Sequence, residues 1–115
     1  MEGPSLRSAP RIALALPVVV RVPASRKRRA KTVRGKKGSG NLSAGGLLVQ
    51  AEKLPLNATV HVKIGVRAAF EAEGVVRFAG RGGVLGIEFT FINSVNRKRL
   101  DKLIAELTRR EILAS

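Results

Sequence analysis

From Thr59 to Ile64 apolar and polar residues alternate, with Val60, Val62 and Ile64 on one side and His61 and Lys63 on the other. A period of two places one face in a core and one in water, which predicts a half-buried strand. Similar stretches recur along the chain. Ile12–Val22 is rich in Val, Leu and Ile and predicts a strand bent or bulged at Pro17. Gly46–Gln50 predicts a second strand, and Glu52–Asn57, with Pro55, a turn. Ala68–Phe78 predicts a longer strand with a bulge at Gly74. Ala79-Gly80-Arg81-Gly82-Gly83 then reads as a hairpin turn, followed by Val84–Ile92 with Leu85, Ile87, Phe89 and Phe91 pointing inward. After that the period changes. Asn93 or Ser94 can cap a helix, and Leu100, Leu103, Ile104 and Leu107 recur at three-to-four spacing. Several short strands punctuated by turns favour a closed sheet or barrel.

Charge changes this picture in one half of the chain. Of the 115 residues, 22 are Lys or Arg and 8 are Asp or Glu, for a net charge of +14. The first fifty residues carry eleven of those cations against Glu2 alone. An anionic partner that meets the N-terminal half is therefore expected. Eight of the cations fall between Arg26 and Lys37, where Ala30–Arg34 is compatible with a strand and Gly35–Gly40 reads as a loop. One domain is expected from the length: a tail and ligand-binding segment at 1–11, a β-barrel at 12–92 and a helix at 93–115. The chain has no Cys, which removes disulfides and thiolate metal sites and fits a reducing, cytoplasmic setting. Ile12–Val20 is too short to span a bilayer. As a secretory leader cleaved after Val22-Pro23-Ala24 it would remove Arg7 and Arg11, so that alternative and a role for those arginines exclude each other.

Two short patterns flank the first apolar run. Arg7-Ser8-Ala9-Pro10-Arg11 precedes it, reading R-x-x-x-R, and Asn41-Leu42-Ser43-Ala44-Gly45-Gly46 follows, reading N-x-S-x-x-G. Arginine offers a planar fork of donors that pairs bidentately with the O6 and N7 acceptors of guanine. The same guanidinium stacks on a purine face and binds phosphate oxygens. Asn41 presents both an acceptor and donors to a base edge, and Ser43 adds a hydroxyl. Gly45 and Gly46 allow positive φ or close approach of a ligand to the backbone. Alone, the second pattern is also ordinary turn chemistry ahead of a strand.

Together and in this order, the patterns resemble the PilZ family, whose members bind the bacterial second messenger cyclic di-GMP. The Gly86-Ile87-Glu88-Phe89 stretch resembles the last barrel strand of that family. The resemblance implies a mainly β fold, a six-stranded antiparallel β-barrel followed by a C-terminal helix. It also implies a non-enzymatic receptor that needs no cofactor or metal. Arg7 and Arg11 would grip guanine and phosphate, while Asn41, Ser43 and Gly46 form a fixed wall; Leu6, Gly45 and Arg26 are additional candidates. Ordering of the N-terminal segment would carry the signal. The span from Arg11 to Asn41 is long and unusually basic for the family.

Two alternatives stand beside this. Arg26–Lys37 suits a nucleic-acid surface, although it lacks the aromatics that stack on single-stranded bases. A barrel that works only as a protein-interaction module through its helix is the other. His61 reads as a surface residue without further metal ligands, and Glu71 and Glu73 as exposed acids balanced by Arg67 and Arg77. No nucleophile–base pair or Walker-type phosphate loop argues for an enzyme.

Overall fold

The computed structural model describes residues 11–66 and 70–114. Eight strands precede one long helix: β1 (Ile12–Leu14), β2 (Val18–Val22), β3 (Lys31–Arg34), β4 (Gly40–Ser43), β5 (Gly46–Gln50), β6 (Thr59–Ile64), β7 (Phe70–Ala79), β8 (Val84–Phe91) and α1 (Ser94–Ala114). They form one sheet in the order β1-β4-β5-β8-β7-β6-β2-β3, every neighbouring pair antiparallel.

This corrects the expected six-stranded closed barrel in two places. Pro17 does more than bend the first apolar run: it separates β1, which pairs with β4, from β2, which pairs with β3 and β6. Proline cannot donate to a sheet ladder, so the chain changes partners there. Second, Gly40–Ser43, where the end of a loop and then a turn-like pattern were expected, is a strand laddered on both sides. Among the described residues β1 and β3 remain the two edges of the sheet. The sheet curls far enough for the Lys36 N–H to donate to the Gln50 carbonyl at 2.6 Å, just beyond β3. Gly35 permits this approach, because a Cβ there would lie 2.5 Å from Val49 Cγ2.

The predicted alternation in β6 holds: Val60, Val62 and Ile64 are buried, each at or below 1 % exposure. They meet Val20, Leu42, Leu47, Val49, Leu85 and Ile87 in an aliphatic core. The β7–β8 register slips at Glu73/Gly74, where an irregularity was expected, but the extra residue there is Thr90 of β8; the extra residue in β7 is Arg77, between Val76 and Phe78. In β8, Leu85 and Ile87 point inward, but Phe91 is 59 % exposed. The extra Thr90 shifts the β7–β8 pairing so that Phe91 faces Glu73 across the ladder, and Phe91 leaves the inward series.

Asn93 caps α1, its Oδ1 accepting from the Asn96 N–H at 2.8 Å. The helix seats on the open side of the sheet through fully buried Leu100, with Leu103, Ile104 and Leu107 packed against the core. Asn96 ties its first turn to β7, with Oδ1 accepting from the Glu71 N–H at 2.9 Å.

Candidate functional site

β4 and β5 are joined by a two-residue turn, Ala44-Gly45, in register Ser43↔Gly46. The Ser43 hydroxyl closes it from inside. Its Oγ accepts from the Gly45 N–H at 3.3 Å and donates to the Gly46 carbonyl at 3.4 Å. Ser43 is 1 % exposed, so this hydroxyl works in a nearly dry setting. Two outside anchors fix the turn. The Phe89 N–H of β8 donates to the Gly45 carbonyl at 2.9 Å, and Arg97 Nη1 of α1 donates to the Ala44 carbonyl at 3.3 Å. Neither Gly45 nor Gly46 is among the described residues with positive φ, so of the two roles expected for them the positive-φ one is not used. Two-residue hairpin turns ordinarily use positive φ to match the twist of their strands. Here the serine hydroxyl and the two anchors hold the turn instead.

Asn41 and Ser43 stand two residues apart on β4 and so share a face. Asn41 is exposed, lying between Ala13 of β1 and Leu48 of β5. Gly46 opens β5 across from Glu88 of β8. Arg11 immediately precedes β1. The antiparallel register Ile12↔Leu42, continued by one residue, sets its half-buried backbone position beside Ser43. Thus Arg11 is brought from a distant part of the sequence to the neighbourhood of Asn41, Ser43 and Gly46, toward the β1 edge of the sheet. Leu6 and Arg7 lie outside the described residues. Arg26 is not brought to the group: it occupies the tip of the β2–β3 hairpin, at the opposite end of the strand order.

The surroundings suit a flat, hydrogen-bonding ligand. A cross-strand row runs Asn41↔Leu48↔Gly86↔Phe78 over β4, β5, β8 and β7. Gly86 keeps the row low: a Cβ there would lie 3.0 Å from Phe78 Cβ and 3.1 Å from Leu48 Cδ2. Phe78 is 52 % exposed, giving the row an aromatic end. Beside it Arg77 Nε donates to Glu88 Oε1 at 2.7 Å. The charge balance expected for Arg77 with Glu71 and Glu73 is therefore different. Arg77 pairs with Glu88, Glu71 Oε1 lies 2.9 Å from His61 Nε2, and Arg67 is outside the described residues.

Arg97 and the Phe89 amide went unnoticed in the sequence. Arg97 sits 53 positions from Ala44, in a run of cations that carries no pattern of its own. One physical signal existed: a cation in the first turn of a helix opposes the helix dipole, by about 0.3–1 kcal/mol, and so calls for a compensating contact. Among the described residues no three His, Cys, Asp or Glu are grouped to hold a metal ion, and no helix is long and apolar enough to cross a membrane.

No curated protein matches the chain at a significant level. The family model for the PilZ domain matches residues 5–106, which takes in both arginines, the β4–β5 hairpin and α1 as far as Glu106. The chain belongs to the PilZ domain family.

Proposed function

We propose that this chain acts as one PilZ domain that binds cyclic di-GMP without transforming it, as a cytoplasmic bacterial receptor. PilZ is generally a cyclic di-GMP-binding domain. The observation that carries the proposal to particular residues is the β1–β4 register, which sets Arg11 beside Ser43 and Asn41. Arg7 and Arg11 supply guanidinium forks for guanine O6 and N7 and for phosphate oxygens. Asn41 reads the base edge, and Ser43 and Gly46 fix the wall against which the ligand rests. Leu6 and Gly45 are the additional candidates for contact with the ligand.

Fixing a backbone costs about 1–2 kcal/mol per residue, so holding Arg7–Arg11 against the sheet costs roughly 5–10 kcal/mol. Charged hydrogen bonds return about 1.5–3 kcal/mol each, so several must form together. That balance favours a segment, residues 1–11, that is ordered by the ligand, and the ordering is the signal. Arg7→Ala and Arg11→Ala, each titrated calorimetrically with cyclic di-GMP, test the assignment. Both are expected to lose at least tenfold in affinity and to melt as the parent does. Unchanged affinity in both would overturn it.

A further inference from the structure

We propose that the β2–β3 hairpin is a second binding site, an arm that docks in the major groove of duplex nucleic acid. β6 accompanies β2 only as far as Arg21, its partner His61 being the last in that ladder. From Val22 onward β2 has β3 alone beside it, in the register Val22↔Lys31. The chain then leaves the sheet as a two-stranded ribbon in which every residue from Pro23 to Ala30 is exposed. Its tip is a tight turn, with Ser25 N–H donating to the Arg28 carbonyl at 2.8 Å and Arg28 N–H to the Ser25 carbonyl at 3.3 Å. The tip carries Arg26, Lys27, Arg28 and Arg29 in succession.

The base of the ribbon continues the same charge. On the outer face Arg21 lies opposite Thr32, and Val19 stands between Arg34 and Lys63, so Arg21, Arg34 and Lys63 share one surface. All three are exposed. Beside the tip, Arg28, Arg29, Lys31 and Lys53 rim a groove of about 600 Å³ over Val22 and Leu54. Glu52 enters beside the tip and is paired with Lys31 at 2.9 Å, while on the outer face Glu71 opposite Lys63 and Glu73 opposite His61 bound the cationic surface on its β7 side.

Shape selects the partner. The major groove of B-DNA, about 12 Å wide, admits a two-stranded β-ribbon. A narrow ribbon tipped with arginines and flanked at its base by further cations matches a groove with a phosphate wall on either side. The ribbon has no aromatic side chain for stacking on splayed single-strand bases. An amphipathic membrane anchor joins its cations to Trp, Phe or Leu; the ribbon itself has none, and the exposed Leu56 belongs to the loop between β5 and β6. Binding is therefore expected to follow duplex shape and phosphate charge, with little dependence on sequence.

The test uses the full chain and a fluorescein-labelled 20-base-pair DNA, followed by anisotropy at several salt concentrations. Affinity should fall roughly 100-fold between about 50 and 200 mM salt, as expected for four or more phosphates neutralised. Replacing Arg26, Lys27, Arg28 and Arg29 together by Ser should cost at least tenfold in affinity and flatten the salt slope. A charge-matched control, with Lys98, Lys102, Arg109 and Arg110 changed to Ser, should retain most of the binding. Equal losses in the two variants would reduce the effect to net charge and overturn the arm. Equal affinity for a single strand of the same length would overturn the groove. Binding to phosphatidylserine vesicles but not to the duplex would assign the arm to a membrane surface instead. Cyclic di-GMP titration of the tip variant should be unchanged, so a failure here leaves the messenger site standing.

Discussion

Arg97, in the first turn of α1, donates from Nη1 to the carbonyl of Ala44 at 3.3 Å, across 53 positions of sequence. The contact ties the helix to the middle of the Asn41–Gly46 pattern, so the proposed ligand wall and α1 move together. Arg97→Ala removes one anchor of an exposed turn that keeps two others, the Ser43 hydroxyl and the Phe89 amide. An exposed bond of this kind is worth about 0.5–1.5 kcal/mol at most. The expected outcome is cyclic di-GMP affinity lowered two- to tenfold with a melting temperature within a few degrees of the parent, read by calorimetry and thermal melts. A large loss of stability would show that the contact holds the fold and not the site.

Ser43→Ala should be costly in a different way. The substitution fits the buried space but leaves the Gly45 N–H without its side-chain acceptor. A fully buried unsatisfied group costs about 1–3 kcal/mol, and because Gly45 is half-buried the low end, about 1 kcal/mol, is expected. Chemical denaturation should show that loss, and cyclic di-GMP binding should weaken as well. Parent-like stability would mean that the turn is held by Phe89 and Arg97 alone.

Gly74 tests the register slip between β7 and β8. A Cβ on this residue would lie 2.6 Å from the Glu88 carbonyl oxygen and 2.8 Å from Ile87 Cγ2. Backbone cannot retreat cheaply within a laddered pair, so Gly74→Val should destabilise by about 1–3 kcal/mol or more through overpacking. Equilibrium unfolding in urea measures it, and a value near zero would contradict the register shift at Glu73/Gly74.

Leu100 is the residue that seats α1, with no exposed surface. Leu100→Ala should cost about 2–5 kcal/mol, from lost transfer energy and the cavity left behind. The helix signal in circular dichroism should melt earlier than in the parent. An unshifted melt would mean that Leu103, Ile104 and Leu107 hold the helix without it.

The strands that alternate cleanly were legible from sequence because burial of one face leaves a period-two trace. Val60, Val62 and Ile64 show it, and the helix face of Leu100, Leu103, Ile104 and Leu107 leaves the three-to-four spacing of a helix instead. Asn41-Leu42-Ser43 was not legible as a strand. Its residue types favour turns, and only the ladders to Ile12–Leu14 and Gly46–Leu48 override that preference. Pro17 announced a break, but nothing local told that the two halves of the run would pair with different strands. The same limit applies to the site. The arginine and serine–glycine patterns could be read off the chain, whereas Arg97 and the Phe89 amide reach the turn through packing of α1 and β8.

The central claim is recognition of guanine in a cyclic dinucleotide, and one comparison tests it most directly: calorimetric titration of the full chain with cyclic di-GMP and with cyclic di-AMP. Adenine replaces the O6 acceptor by a donor amine, so an arginine fork placed on O6 and N7 loses one bond and faces a like donor. A bidentate pair discriminates by about 1–3 kcal/mol, which predicts saturable binding of cyclic di-GMP at least fivefold tighter than cyclic di-AMP. Equal affinity for the two, or no binding of cyclic di-GMP, would contradict the account.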